Sequence, residues 1–172
     1  MSKQKQITEK GIPKGTTQVS LSGFSFLFAE YVRREFRKDN KQTTTEFHEK
    51  LFDLGFNIGM RMLEVINIRE RENERDINMD NVVGFIAKDM WRVMFGYGVD
   101  VGRVKGKTNE FLITDKNLII TEFMSYGNEK NIYCVAYVAG MAQACIDGAD
   151  FKGNVNYGED EDGPYLHIIF QQ

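Results

Sequence analysis

Along Ser22–Phe36 the phenylalanines at 24, 26 and 28 alternate as in a half-buried strand, yet the chain runs straight on into Glu30, Arg33, Arg34 and Glu35 with no turn signal. On a helical wheel Leu21, Phe24, Leu27, Phe28, Ala29, Tyr31, Val32 and Phe36 fill one continuous arc of about 200°, with Phe26 the single misfit among the charges, so the pattern predicts a helix. A second helix is predicted from about Thr43 to Arg69. It opens on a Thr-Thr-Thr-Glu capping signal and carries Phe47, Leu51, Phe52, Leu54, Phe56, Ile58, Met60, Met62, Leu63, Val65 and Ile66 over roughly 240°. Gly55 and Gly59, four apart on this helix, weaken it by about 1 kcal/mol each but admit another backbone at close range.

Arg69 to Arg75, RERENER, is predicted as a solvated loop. A third helix follows from Asn78 or Asp80 to Phe95, with Met79, Val82, Val83, Ile86, Met90, Val93 and Met94 at helical spacing, ending at Gly96 and Gly98. Trp91 lies beside that stripe and reads as packed rather than catalytic. Beyond a glycine- and lysine-rich loop, Glu110–Thr114 and Asn117–Phe123 are expected to form a hairpin joined at Asp115-Lys116. Asn131–Gly148 has hardly a charge and predicts a buried helix, which Gly140 and the alanines would let lie close against a sheet. A last hairpin pairs Phe151–Tyr157 with Tyr165–Phe170 across an acidic, turn-rich connection. The order of three helices, hairpin, helix, hairpin describes an α+β domain, an antiparallel sheet of about four strands with helices on one face.

Length changes this picture little: 172 residues accommodate one domain, here 19–172, preceded by a polar segment 1–18 read as a flexible tail. That segment has no apolar stretch of the kind a secretory signal needs. A net charge of −3 gives no driving force toward phosphate backbones or anionic membranes. No apolar run approaches the roughly 18 residues of a membrane span, so a cytosolic chain is expected. Cys134 and Cys145 would sit about 16 Å apart on one helix, beyond disulfide reach, and read as buried thiols.

Candidate chemistry is sparse. The tip Glu159–Asp162 lacks the alternating ligands and final glutamate of a calcium loop and reads as a solvated turn. His48 and His167 have no HExxH, CxxC or third ligand nearby. Gly96, Gly98 and Gly102 follow a helix instead of a strand, so they do not make a dinucleotide fingerprint. No catalytic, cofactor or metal residues are assigned. What stands out is the apolar width of the first two helices, wider than the stripe of about 100° that a surface helix needs. A buried bundle interior explains such width, and so does a large partner interface. Phe24, Phe28 and Tyr31, with Leu51, Ile58 and Met62, are the candidate anchors of that interface.

The segment Leu54-Gly55-Phe56-Asn57-Ile58-Gly59-Met60-Arg61-Met62-Leu63-Glu64 resembles the signature helix of the small subunits of TRAPP, the transport protein particle, in the Bet-three-like family. Val19–Phe28 is most similar to the subunit-five branch. Phe85-Ile86-Ala87-Lys88-Asp89-Met90-Trp91 through Phe95-Gly96, then Val138-Ala139-Gly140, keep the family order, so the likeness covers about 19 to 170. The resemblance implies a scaffold subunit of a tether in ER-to-Golgi and Golgi transport. It implies pairing through the first two helices, above all with a Bet-three-type subunit. It also implies a Rab-type GTPase exchange activity that belongs to the assembled complex and mainly to other subunits. No cofactor and no nucleic acid are implied, and membrane association would be peripheral, through the complex. The Bet-three-type branch carries an acylated cysteine in the loop after the second helix; here that loop has none, and no lipid attachment is carried over. A ligand-binding module of the same fold, with Ala136, Gly140 and Ala144 lining a cavity, is the alternative. An exchange factor acting alone, for which only the acidic tip offers groups, is the third reading.

Overall fold

The structure is a computed structural model and describes residues 19–38, 43–70, 78–124 and 133–171. Helix α1 spans Leu21–Lys38 and α2 spans Thr44–Glu70. Helix α3 starts as Met79–Gly84, widens into a π-helical turn over Phe85–Met90 and finishes as Trp91–Phe95. Strands β1 (Val101–Arg103) and β2 (Glu110–Thr114) follow, then a short 3-10 turn, Ile119–Thr121, helix α4 (Val135–Gly148), and strands β3 (Gly153–Asp160) and β4 (Gly163–Phe170). The four strands form one antiparallel sheet in the order β1-β2-β4-β3. The α+β class and the four-stranded sheet are as the sequence predicts. The segment 1–18 and most of the charged RERENER loop lie outside the described residues.

Helix ends follow from local chemistry. Thr43 and Glu46 form a reciprocal capping box: the Glu46 N–H donates to Thr43 Oγ1 (3.3 Å) and the Thr43 N–H to Glu46 Oε2 (3.0 Å). Asn78 caps α3 by accepting from the Asn81 N–H at 2.9 Å. Gly96, at φ 88°, closes the same helix in the left-handed region, where a side chain would clash with its own backbone.

The core is built on α4, whose residues from Val135 to Ala142 are all buried. It lies against α2 with the two backbones in contact: a Cβ on Gly55 would fall 1.8 Å from the Tyr137 carbonyl oxygen, and one on Gly140 2.0 Å from that of Phe52. A Cβ on Gly59 would meet Ala144 Cβ at 2.8 Å. The close approach foreseen for Gly55 and Gly59 is therefore present. The partner of Gly140 is α2 rather than the sheet, because the small residues of the two helices interlock. Gly140 and Ala144 are thus contact residues between helices, not the wall of a cavity.

The expected hairpin of Glu110–Thr114 with Asn117–Phe123 does not form. Instead β2 pairs with β1 on one side and β4 on the other, and the second segment coils into the 3-10 turn, burying Leu118 and Ile120. Asp115 explains the change of direction. Its buried carboxylate accepts from the Asn117 N–H at 3.1 Å, which tightens the turn, and from Trp91 Nε1 at 3.0 Å and the Tyr97 hydroxyl at 2.6 Å, which tie it to α3. Helix α4 begins at Val135, later than the predicted Asn131. The final hairpin also turns more tightly than expected, with β3 running to Asp160 and β4 starting at Gly163. The free edge of β3 is partly blunted. Gln143 of α4 donates to the Gly153 carbonyl (2.9 Å) and accepts from the Val155 N–H (3.0 Å), pairing the edge as a strand would.

Candidate functional site

Helix α1 is capped by Ser20, whose Oγ accepts from the Gly23 N–H at 3.4 Å. Its inward side is Ser25, Phe28 and Val32, spaced by three and four. Phe28 stacks on Phe24 (centroids 6.2 Å apart) and tilts against Tyr137 of α4 (5.1 Å), while Phe36 meets Phe47 of α2 edge to face (5.5 Å). The hydroxyl of Ser25 is fully buried and has no hydrogen-bond partner among the described residues. Burying an unpaired hydroxyl costs about 1–3 kcal/mol, so this helix is seated at some expense.

The outward side of α1 is not polar. Phe24, Leu27 and Tyr31 make an i, i+3, i+7 stripe with Leu27 71% exposed between two half-buried rings. Phe26 lies on the other flank, about 100° around the helix, 62% exposed, its ring 6.1 Å from that of Phe123 just beyond the 3-10 turn. Val19 is exposed ahead of the helix, and on α2 so are Met60 and Ile68.

The candidate anchors read from the sequence separate into two groups. Phe28 and Leu51 are core residues, 5% and 0% exposed, with no area to offer a partner. Phe24, Tyr31, Ile58 and Met62 are half-buried and packed against the core. The six do not form one exposed surface. The apolar arc of α2 divides: Phe47, Leu51 and Ile66 are buried, Phe52, Leu54, Phe56, Ile58, Met62, Leu63 and Val65 are half-buried, and Met60 is exposed. Both helices keep apolar surface in contact with water, and the most exposed side chains, Leu27 and Phe26, are on α1. Sequence reasoning passed over Phe26 and Phe123; the signal for Phe26 was its position outside the arc, among charged neighbours.

Polar clusters are tied up in structure. Burial, together with the hydrogen bond to the Asp115 carboxylate, raises the Tyr97 hydroxyl above its ordinary range, keeping it a donor. Burial alone pushes Tyr137 up to about 12. Glu110 takes hydrogen bonds from Lys107 (2.5 Å) and from His167 Nε2 (2.9 Å), and its carboxyl is held below the usual range, chiefly by Lys107. His48 is used differently: its Nε2 accepts the Tyr133 N–H at 3.0 Å, joining α2 to the approach to α4. Cys134 and Cys145 are buried and form no disulfide, and the Cys145 thiol donates to Met90 Sδ at 3.6 Å. Among the described residues no group of three or more His, Cys, Asp or Glu is placed to hold a metal ion, and no helix is long and apolar enough to cross a membrane. The arrangement supplies contact surface.

Known proteins place this surface in a context. The family model for transport protein particle (TRAPP) components matches residues 24–168. The chain is 28% identical to trafficking protein particle complex subunit 5 of Dictyostelium discoideum over 151 residues, 87% of this chain and 80% of that protein. It is 24% identical to the human subunit 5 over the same length, 87% of this chain and 79% of the relative. Among solved structures, subunit 3 of that complex from Naegleria fowleri, crystallised covalently bound to palmitic acid, superposes with a TM-score of 0.77. That match covers 88% of this chain and 95% of the other at 12% identity, which speaks for a shared fold.

Proposed function

The chain belongs to the family of TRAPP components, a family of trafficking-complex subunits, and from that premise we propose that it is a structural adaptor holding a neighbouring subunit on the outward side of α1. The observation that carries this reading is the Phe24–Leu27–Tyr31 stripe. A leucine left 71% in water between two half-buried rings is the profile of an interface centre that is covered on assembly. On α2, Met60 and Ile68 add exposed apolar area, and Ile58 and Met62 are half-buried against the core.

The neighbour in this proposal is a Bet-three-type small subunit docking on α1 and α2. The assembly then works in ER-to-Golgi and Golgi transport, reaching cytoplasmic membrane surfaces only peripherally. Nucleotide exchange on a Rab-type GTPase is a property of the whole complex, to which this chain contributes architecture rather than chemistry. Co-expression tests the reading. The chain alone is expected to self-associate, and the Bet-three-type partner to hold it as a soluble pair. Leu27→Asp is expected to leave the fold of the chain within about 0.5 kcal/mol of its starting stability, because the side chain lies in solvent. The same change is expected to weaken pairing by about 2 kcal/mol, roughly thirtyfold, in a titration of the two subunits. Unchanged pairing by the variant would contradict the proposal.

A further inference from the structure

The 3-10 turn Ile119–Thr121 has two different neighbours. Toward α1 it leads into Phe123, which is 48% exposed and rests on Phe26. The same turn forms one wall of an open groove of about 990 Å³, bounded also by Tyr97, Asp100 and the ends of the last hairpin at Glu159 and Pro164. The groove is acidic. The Asp115 carboxylate in its lining is engaged by Trp91, Tyr97 and Asn117, and the one lining amine, Lys116, pairs with Asp162 at 3.2 Å. Asp100, Glu122 and Glu159 take part in no ion pair among the described residues. Aromatic patch and acidic groove therefore adjoin across a single turn, on the flank of α1 opposite the Leu27 stripe.

The segment that precedes α1 has the complementary composition. Residues 1–18 contain Lys3, Lys5, Lys10 and Lys14 against one acid, Glu9, with Ile7, Ile12 and Pro13 between them. Reach is no obstacle. Val19 stands about 10 Å along the helix from Phe26, and eighteen extended residues span up to about 60 Å. Tethering also raises the local concentration of the segment to the millimolar range, so weak contacts suffice. We infer that residues 1–18 dock on their own chain, passing Ile12-Pro13 over the Phe26–Phe123 rings and placing the lysines along Asp100, Glu122 and Glu159. The inference stands independently of the partner proposed for the Leu27 stripe. It assigns the second apolar flank of α1 to an internal segment rather than to another subunit.

Carbodiimide coupling, which joins an amine to a carboxylate in contact, tests it on the full chain. Equal amounts of nitrogen-15-labelled and unlabelled protein are mixed and coupled in low salt and in 1 M salt, and the joined peptides are read by mass spectrometry. The expected products link Lys3, Lys5, Lys10 or Lys14 to Asp100, Glu122 or Glu159 within one isotopic form. They are expected to fall about tenfold in 1 M salt, where the screening length shrinks to about 3 Å. In the double variant Glu122→Gln, Glu159→Gln, both changes at exposed positions, the remaining link to Asp100 is expected to drop severalfold. Links that join labelled to unlabelled chains would assign the groove to a second molecule and overturn the inference. So would links scattered over other carboxylates, the absence of links, or an Asp100 link indifferent to the double variant.

Discussion

Helices α1 and α4 are both packed on the same body, but by different means. Helix α4 meets α2 at two glycines, Gly55 and Gly140, where backbone touches backbone and no side chain intervenes. Such contact has one solution, since any added atom forces the helices apart. Helix α1 rests on rings, Phe28 on Tyr137 and Phe36 on Phe47, and runs along the 3-10 turn. It also buries the Ser25 hydroxyl without a partner among the described residues and leaves Leu27 and Phe26 in solvent. The contact between α2 and α4 is complete in one molecule. The second contact leaves α1 apolar on both sides, and a helix of that kind is finished by what covers it.

The largest effect expected from breaking this contrast is at α4. Gly140→Ala would place a methyl group 2.0 Å from the Phe52 carbonyl oxygen, against backbone that has no rotamer to change. A loss of about 3 kcal/mol or more is expected in urea unfolding, a large share of the roughly 5–15 kcal/mol that a domain has. Next is the support beneath α1. Asp115→Ala would strand the buried Trp91 N–H and the Tyr97 hydroxyl and loosen the turn that α1 lies along. A cost of about 2–3 kcal/mol is expected, with Trp91 fluorescence shifting to the red as water reaches the indole. The smallest effect has the opposite sign. Ser25→Ala removes an unpaired buried hydroxyl, and a gain of up to about 1 kcal/mol is expected from thermal unfolding. A loss there would mean that the hydroxyl has a partner and that α1 is seated better than the contrast allows.

What could be read from the sequence follows the same division. Periodicity gave the first three helices to within a few residues, helped by caps at Thr43, Asn78 and Gly96 that mark ends chemically, whereas α4 starts four residues later than predicted. The glycine pair in α2 announced a close backbone neighbour but could not say which element it was, since Gly140 suits a helix and a sheet equally. Strand β1 was hidden, being three residues with a glycine at the centre, inside a loop rich in glycine and lysine. The run Asn117–Phe123 looked like a strand because it is rich in β-branched and aromatic residues, with Ile119, Ile120 and Thr121 in a row. The Asn117 N–H donating to the Asp115 carboxylate redirects it, and no period reports that. Wheel geometry measured how wide the apolar arcs are, not which side of each faces inward. Phe28 and Leu51, chosen as anchors, went to the core for that reason, while Leu27, in the same arc, became the exposed centre of the stripe.

Amide hydrogen exchange of the chain alone and in complex with a Bet-three-type subunit tests the central claim most directly, because it reads the two helices in one experiment. The α2 and α4 amides are expected to be strongly protected in both states, with little difference between them. The amides of residues 21–38 are expected to exchange readily in the isolated chain and to slow at least tenfold on pairing, as the outer side of α1 is covered. An α1 already as protected as α4 in the isolated chain, and unmoved by the partner, would contradict the account.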